Sequence, residues 1–170
     1  VDVRDTWDFC HYQINMCALL RIGEWLDYLK EEGVYDNTRI IIVADHGYPM
    51  AQFEDMLLSN GLDVERFNPL LMVKDFNAHG FKTDDSFMTN ADVPTLAMEG
   101  VIDNPVNPNT GNPVNMDAKK DDQYITTSGK WSTTINHGYK FDTTDGYWYA
   151  VKPGSIFDVK NWTRASKGDK

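Results

Sequence analysis

The sequence is short of the features that most quickly classify a protein. It has no run near the roughly 18 apolar residues that cross a bilayer, and no signal peptide opens it. Read alone, it therefore has no localisation signal of its own. Only two cysteines occur in 170 residues. If Cys10 and Cys17 share a helix, seven residues of rise hold them about 10 Å apart, beyond the reach of a disulfide. Two free, mostly apolar thiols are expected. Basic residues are also scarce, 16 against 26 acidic ones. A chain of net charge −10 has no broad electrostatic attraction to nucleic acid or to an anionic membrane face, so no nucleic-acid partner is expected. The deficit is uneven. Residues 1–60 carry 4 basic and 11 acidic groups and residues 61–122 carry 5 and 11, whereas residues 123–170 carry 7 and 4.

A hydrophobic content of 41% permits a real core. Residues 11–31 read as a helix, because Ile14, Ala18, Ile22, Trp25, Leu26 and Leu29 recur at three- and four-residue steps, with Gly33 as its stop. Asp36-Asn37-Thr38 turns the chain into a short strand over 39–44. Its unbroken β-branched character suits a strand covered on both faces, which favours a parallel sheet in an α/β protein. A helix is expected over 52–59, ended by Asn60-Gly61, and a second buried strand over 69–73. A further helix is expected near 91–98, capped by Thr89 or Asn90, with Gly100 beyond its end. Residues 103–122, rich in proline and asparagine, read as a polar surface connection. From Tyr124 the pattern is short and strand-like, over 124–126, 140–142, 147–151 and 155–159, with a turn at 143–146. Three regions follow: a partial α/β catalytic region over 1–102, the connection over 103–122, and a small antiparallel β subdomain over 123–170.

The chemistry concentrates in Arg39-Ile40-Ile41-Ile42-Val43-Ala44-Asp45-His46-Gly47. An apolar strand stops at an adjacent carboxylate and imidazole, and ligands in open α/β sheets gather at the carboxyl ends of strands. Mixed oxygen and nitrogen donors suit zinc, manganese or iron better than calcium. The plainer reading makes Asp45 a turn cap and leaves His46 bonded to a backbone carbonyl. His79, in the loop after the second strand with Phe76, Asn77 and Lys82, is a candidate substrate contact, and Lys74 could attract an anionic headgroup. Each also has an ordinary solvent-facing reading. His11 and His137 have weaker claims. Trp131, Trp148 and Trp162 would support a glycan or cell-wall contact if they formed an exposed row.

Beyond Asp-His-Gly, an ordered series is present: Trp25-Leu26-Asp27-Tyr28-Leu29, Gly33-Val34-Tyr35-Asp36-Asn37-Thr38, the strand with Asp45-His46-Gly47, Asn68-Pro69-Leu70-Leu71-Met72-Val73-Lys74, and Ala91-Asp92-Val93-Pro94-Thr95-Leu96. This series resembles the alkaline phosphatase and sulfatase superfamily, especially the branch of lipoteichoic acid synthases and related phosphoglycerol transferases. The resemblance implies the C-terminal part of an alkaline-phosphatase-like sandwich, with mostly parallel buried strands and a small C-terminal antiparallel sheet. It implies that Asp45 and His46 are ligands of a divalent metal, manganese favoured and zinc possible. No catalytic nucleophile is identified. The family's threonine and a further acidic ligand would lie upstream, so the missing N-terminal half of the catalytic domain becomes the first expected partner.

A parent enzyme of this kind would transfer glycerophosphate from an anionic, phosphatidylglycerol-like phospholipid to a cell-surface glycopolymer. It would be held at a bacterial cell membrane through upstream segments, with an extracellular catalytic domain. A sulfatase-like hydrolase of phosphate or sulfate esters is one alternative, and a non-catalytic glycan or cell-wall binding module is another. Cys10 and Cys17 lack the Cys/Ser-x-Pro-x-Arg setting of a sulfatase formylglycine. On this reading the isolated fragment should show little activity.

Overall fold

A computed structural model of the chain describes residues 6–49, 53–84, 86–108, 111–113, 118–127 and 147–166. The expected strand at 140–142, the turn at 143–146, Trp131 and His137 lie outside the described residues. Helix α1 spans Thr6–Glu31. It ends in a Schellman motif: Gly33, at φ 70°, donates its N–H to the Lys30 carbonyl, and Val34 donates to that of Leu29, both at 3.0 Å. The left-handed angle costs glycine no Cβ clash, so the helix stops there.

Strand β1, Ile40–Val43, pairs with β2, Leu71–Lys74, in an antiparallel register that sets Ile40 opposite Lys74 and Val43 opposite Leu71. A second sheet holds β3 (Gln123–Thr127), β4 (Tyr147–Val151) and β5 (Trp162–Ala165) in that order, again antiparallel throughout. The expectation of a sandwich with mostly parallel strands is therefore wrong: the described residues form a small α/β domain with two antiparallel sheets. A β-branched run reports burial and says nothing of direction. Direction was decided by the connection over 44–70, whose described residues hold 3₁₀ turns at Glu54–Met56 and Val64–Phe67. Among them no crossover helix carries the chain back to the start of the sheet, as a parallel pairing requires. Nor is β1 covered on both faces, since Ile40 is buried, Ile41 and Ile42 are half-buried and Val43 is exposed.

The α-helix expected over 52–59 is likewise replaced. After the Glu54–Met56 turn, Leu57 is extended and bridges Asp63. Asn60-Gly61 reverses the chain, with Gly61 at φ 80° and the Leu58 N–H on the Leu62 carbonyl at 2.9 Å. The strand expected over 155–159 is a loop, and pairing resumes at Trp162 once the Asp158 carboxylate has capped the Val159–Asn161 turn. Helix α2, Val93–Met98, follows a 3₁₀ turn at Asn90–Asp92, with Pro94 in its first turn, where no intrahelical donor is needed.

The main core lies under the second sheet. Val64, Tyr149, Val151 and Trp162 pack together with Leu62, Phe67 and Ile125 around them. Alternation along β4 sends Tyr149 and Val151 to one face, and the register brings Trp162 opposite Val151 on that face. Trp162 is thus a core residue, its indole N–H on the Ile156 carbonyl at 2.7 Å, and it is no part of an exposed aromatic row. By contrast, α1 leaves much of its apolar surface bare. Trp7 is 76% exposed and Ile14 68%, and only its C-terminal half, at Ile22, Leu26 and Leu29, is partly covered. No described helix is long and apolar enough to cross a membrane.

Candidate metal centre at the end of the first strand

The last rung beside β1 is the Ala44 N–H on the Leu70 carbonyl at 2.9 Å. Beyond it the chain bends, and the Asp45 Oδ1 accepts the His46 backbone N–H at 3.0 Å. That bend overrides strand alternation and turns both side chains to one side, with His46 Nε2 3.7 Å from Asp45 Oδ2. Both are open to solvent, Asp45 90% and His46 65% exposed. On the other side of the imidazole, Nδ1 lies 2.9 Å from the Gly47 carbonyl oxygen. A carbonyl only accepts, so Nδ1 carries the hydrogen, and Nε2 is the ring nitrogen that faces the carboxylate. A proton on Nε2 or a metal ion between the two groups would each satisfy that arrangement. Two donors each about 2.1 Å from one ion stand about 3–4 Å apart, so the pair fits a divalent metal. The Gly47 carbonyl supplies the outer hydrogen bond that typically fixes the tautomer of a metal-ligating histidine.

Gly47 is required for a reason other than backbone angle. Its φ is not in the left-handed region, but a Cβ added there would fall 1.9 Å from the Glu65 carbonyl oxygen. Its N–H donates to the Arg66 carbonyl at 2.9 Å. The turn after Asp45-His46 is therefore clamped against the Val64–Phe67 turn, backbone on backbone.

Asn90 is the site residue that sequence reading missed, having marked it only as a possible helix cap. Its carboxamide nitrogen donates to the Ala44 carbonyl at 2.9 Å and to the Asp45 carbonyl at 3.0 Å. The cap is Thr89 instead, whose N–H and hydroxyl both reach Asp92 Oδ2, at 2.8 and 3.1 Å. Asn90 is thus free to hold the end of β1. Between them Val43, Asp45, Asn90 and Pro94 line an open hollow of about 350 Å³. His11 of α1 stacks on Tyr48, with ring centroids 3.7 Å apart, so the helix lies over the loop that follows His46. No local sequence signal pairs Asn90 with Ala44 and Asp45 across 45 or so residues.

Lys74 and His79 are not brought to this centre. Antiparallel pairing carries the carboxyl end of β2 to the amino end of β1, so the loop after β2 emerges at the end of the sheet opposite Asp45. There the Lys74 ammonium donates to the carbonyls of Tyr35, Asp36 and Thr38 and lies 4.3 Å from the Tyr35 ring centroid. Its charge closes the loop between α1 and β1. His79 is exposed in the loop beyond, next to a segment tied down by the Asn77 N–H on the Asp36 carbonyl at 2.7 Å.

Two further cations organise the surroundings. The Arg39 guanidinium donates to the C-terminal carbonyls of α2, those of Leu96, Ala97 and Glu99. It also grips the Asp75 carboxylate at 2.8 and 3.0 Å. Cation and helix C-terminus are electrostatically matched. Arg39, with the Phe76 N–H, holds the Asp75 carboxyl below its usual range. Asp92 is buried. Burial alone would raise its pKa, but the Lys119 ammonium at 2.5 Å and the Thr89 donors outweigh it and leave the group below the ordinary carboxylate value. Asn107, also buried, donates to the Ala91 carbonyl at 2.8 Å. The polar connection is thereby fastened to the start of α2.

Among the described residues no group of three or more His, Cys, Asp or Glu side chains converges to hold a metal. Asp45 and His46 would be two donors of a larger set. No family model matches the chain, and no curated protein or solved structure matches it.

Proposed function

We propose that this chain carries the metal-binding strand end of a divalent-metal-dependent phosphoglycerol transferase. Its substrate would be a phosphatidylglycerol-like lipid and its acceptor a cell-surface polymer. The observation that carries the reading is the convergence of His46 Nε2 and Asp45 Oδ2, 3.7 Å apart, at an open strand end. The ordered motif series around it adds the chemical class.

Asp45 and His46 would hold the ion, manganese favoured over zinc, which supplies Lewis acidity toward phosphoryl oxygens and lowers the pKa of an alcohol nucleophile. Asp45 Oδ1 accepts the His46 N–H, so Oδ2 would be the oxygen available to the ion. The Gly47 carbonyl accepts from His46 Nδ1, which would leave Nε2 to it, and Asn90 holds the backbone of the strand end. An upstream threonine is the nucleophile in this reading, and the parent sits at a bacterial cell membrane with its catalytic domain outside. The exposed apolar surface of α1 is where the rest of the domain would pack.

The test is manganese-dependent release of diacylglycerol from phosphatidylglycerol by the full-length natural gene product. Asp45→Asn and His46→Ala should each abolish turnover and lower manganese affinity, read by electron paramagnetic resonance. Metal dependence and rate left unchanged by both substitutions would refute the ligand roles. Glycerol phosphate appearing free in water, with none on an acceptor, would replace transferase by the ester hydrolase alternative.

A further inference from the structure

A second hollow, of about 290 Å³, opens where the segment over 57–62 ends its cover of the three-stranded sheet. Its volume is near the lower end of small-molecule sites. Leu57, Leu58, Val159 and Trp162 give its lining an apolar part, and Ser59, Asn60, Tyr149 and Arg164 a polar part.

The polar part is rich in unused donors. Asn60 Oδ1 accepts the Leu62 N–H at 3.2 Å, which settles the orientation of the amide. Its Nδ2 then donates to the Tyr149 hydroxyl at 2.7 Å. Tyr149 is 5% exposed, and its hydroxyl oxygen is already occupied as an acceptor. Its own hydrogen finds no acceptor among the described residues, and Tyr149 is one of the residues that line the hollow. A buried hydroxyl with an unspent donor is costly unless something receives it. Arg164 stands directly opposite Tyr149 in the β4–β5 register, so the two side chains share a face. One face of its guanidinium rests on the Tyr147 ring, 4.4 Å from the centroid. No hydrogen bond among the described residues uses its N–H edge, which is the fork that receives a carboxylate.

We infer that this hollow binds a small carboxylic acid bearing an apolar ring, with the carboxylate on Arg164 and the Tyr149 hydroxyl and the ring against Leu57, Leu58 and Val159. Among the described residues Arg164 is the charged member of the lining, so an anion is matched there where a neutral sugar is not. This site is independent of the proposed transferase.

The experiment is saturation-transfer NMR on the 170-residue chain with benzoate as the probe, and with benzamide and acetate as comparators. Benzoate should bind, and the comparators should each bind at least about tenfold more weakly, benzamide because it lacks the charge-assisted hydrogen bond and acetate because it lacks the apolar ring. Arg164→Gln should weaken benzoate about tenfold, with Arg164→Lys restoring part of it. Tyr149→Phe, which keeps the packed ring, should weaken it several-fold. Variants are compared only after their amide spectra show the same dispersion as the parent chain. No transfer to benzoate, equal binding of benzamide, or full benzoate binding by Arg164→Gln would each overturn the inference.

Discussion

Asn90 hydrogen-bonds the carbonyl of Asp45, 3.0 Å away, and the same nitrogen reaches Ala44 at 2.9 Å. Its carboxamide donates to two consecutive carbonyls at the point where β1 ends and the candidate metal pair begins. Replacing it by alanine should cost about 1 kcal/mol in urea unfolding, because the bonds are exposed. In the full-length protein it should lower manganese affinity about tenfold, the scale typical of groups that orient metal ligands. Asn90→Asp should be worse on both counts, since a carboxylate would face two carbonyl oxygens. Lost stability with unchanged manganese affinity would make Asn90 a structural residue only.

Gly47 tolerates no side chain. A Cβ would sit 1.9 Å from the Glu65 carbonyl oxygen, and the neighbour is backbone, which cannot rotate aside. Gly47→Ala should therefore cost about 3 kcal/mol or more and break the Gly47–Arg66 hydrogen bond. Hydrogen exchange at the Gly47 amide reads the second effect directly. Slow exchange and wild-type stability in the variant would disprove the clamp.

Arg39 joins α2, β1 and the loop after β2 with one side chain that is 10% exposed. Arg39→Ala should destabilise by about 2–3 kcal/mol, and Arg39→Lys should recover less than half. A lysine ammonium lacks the planar fork that serves Asp75 and the helix carbonyls together. Thermal unfolding of the three proteins decides the matter, and full rescue by lysine would show that charge alone suffices.

The pH dependence follows from Asp92. Its carboxyl ionises below the ordinary aspartate value of about 3.9 in the folded chain, so the unfolded state binds the proton first as pH falls. Its contribution is fully present above that value and is lost as pH drops toward the lowered folded value. Asp92→Asn should be less stable at pH 7, because Lys119 loses its partner in a largely buried setting. The same variant should have a flatter stability profile below about pH 4. Denaturant titrations between pH 3 and 7 test both signs, and parallel profiles for parent and variant would refute the assignment.

How much of this was legible beforehand differs by element. The helix ending at Gly33, the strand that stops at Asp45, the start of α2 and the strand at Tyr147 could all be read from periodicity and stop signals, because they are local. The connection over 44–70 could not. The Gln52–Ser59 stretch has adequate helical spacing, yet Met56 and Leu58 from it, with Leu62 just beyond, pack beneath the second sheet, and that sheet comes from sequence about a hundred residues away. Trp162 shows the same limit: alternation identifies two faces without saying which is covered.

Adjacency and hydrophobic patterning are properties of the chain, and they suffice to put a carboxylate and an imidazole side by side after an apolar strand. The antiparallel run of β1 and β2 came from the folded arrangement, and it moved Lys74 and His79 to the far end from Asp45. That arrangement also decided that Asn90, Gly47 and the Val64–Phe67 turn hold the strand end in place. Direction, coverage and support depend on which distant backbone groups meet, and hydrogen bonds between such groups leave no periodic trace in the residues that make them.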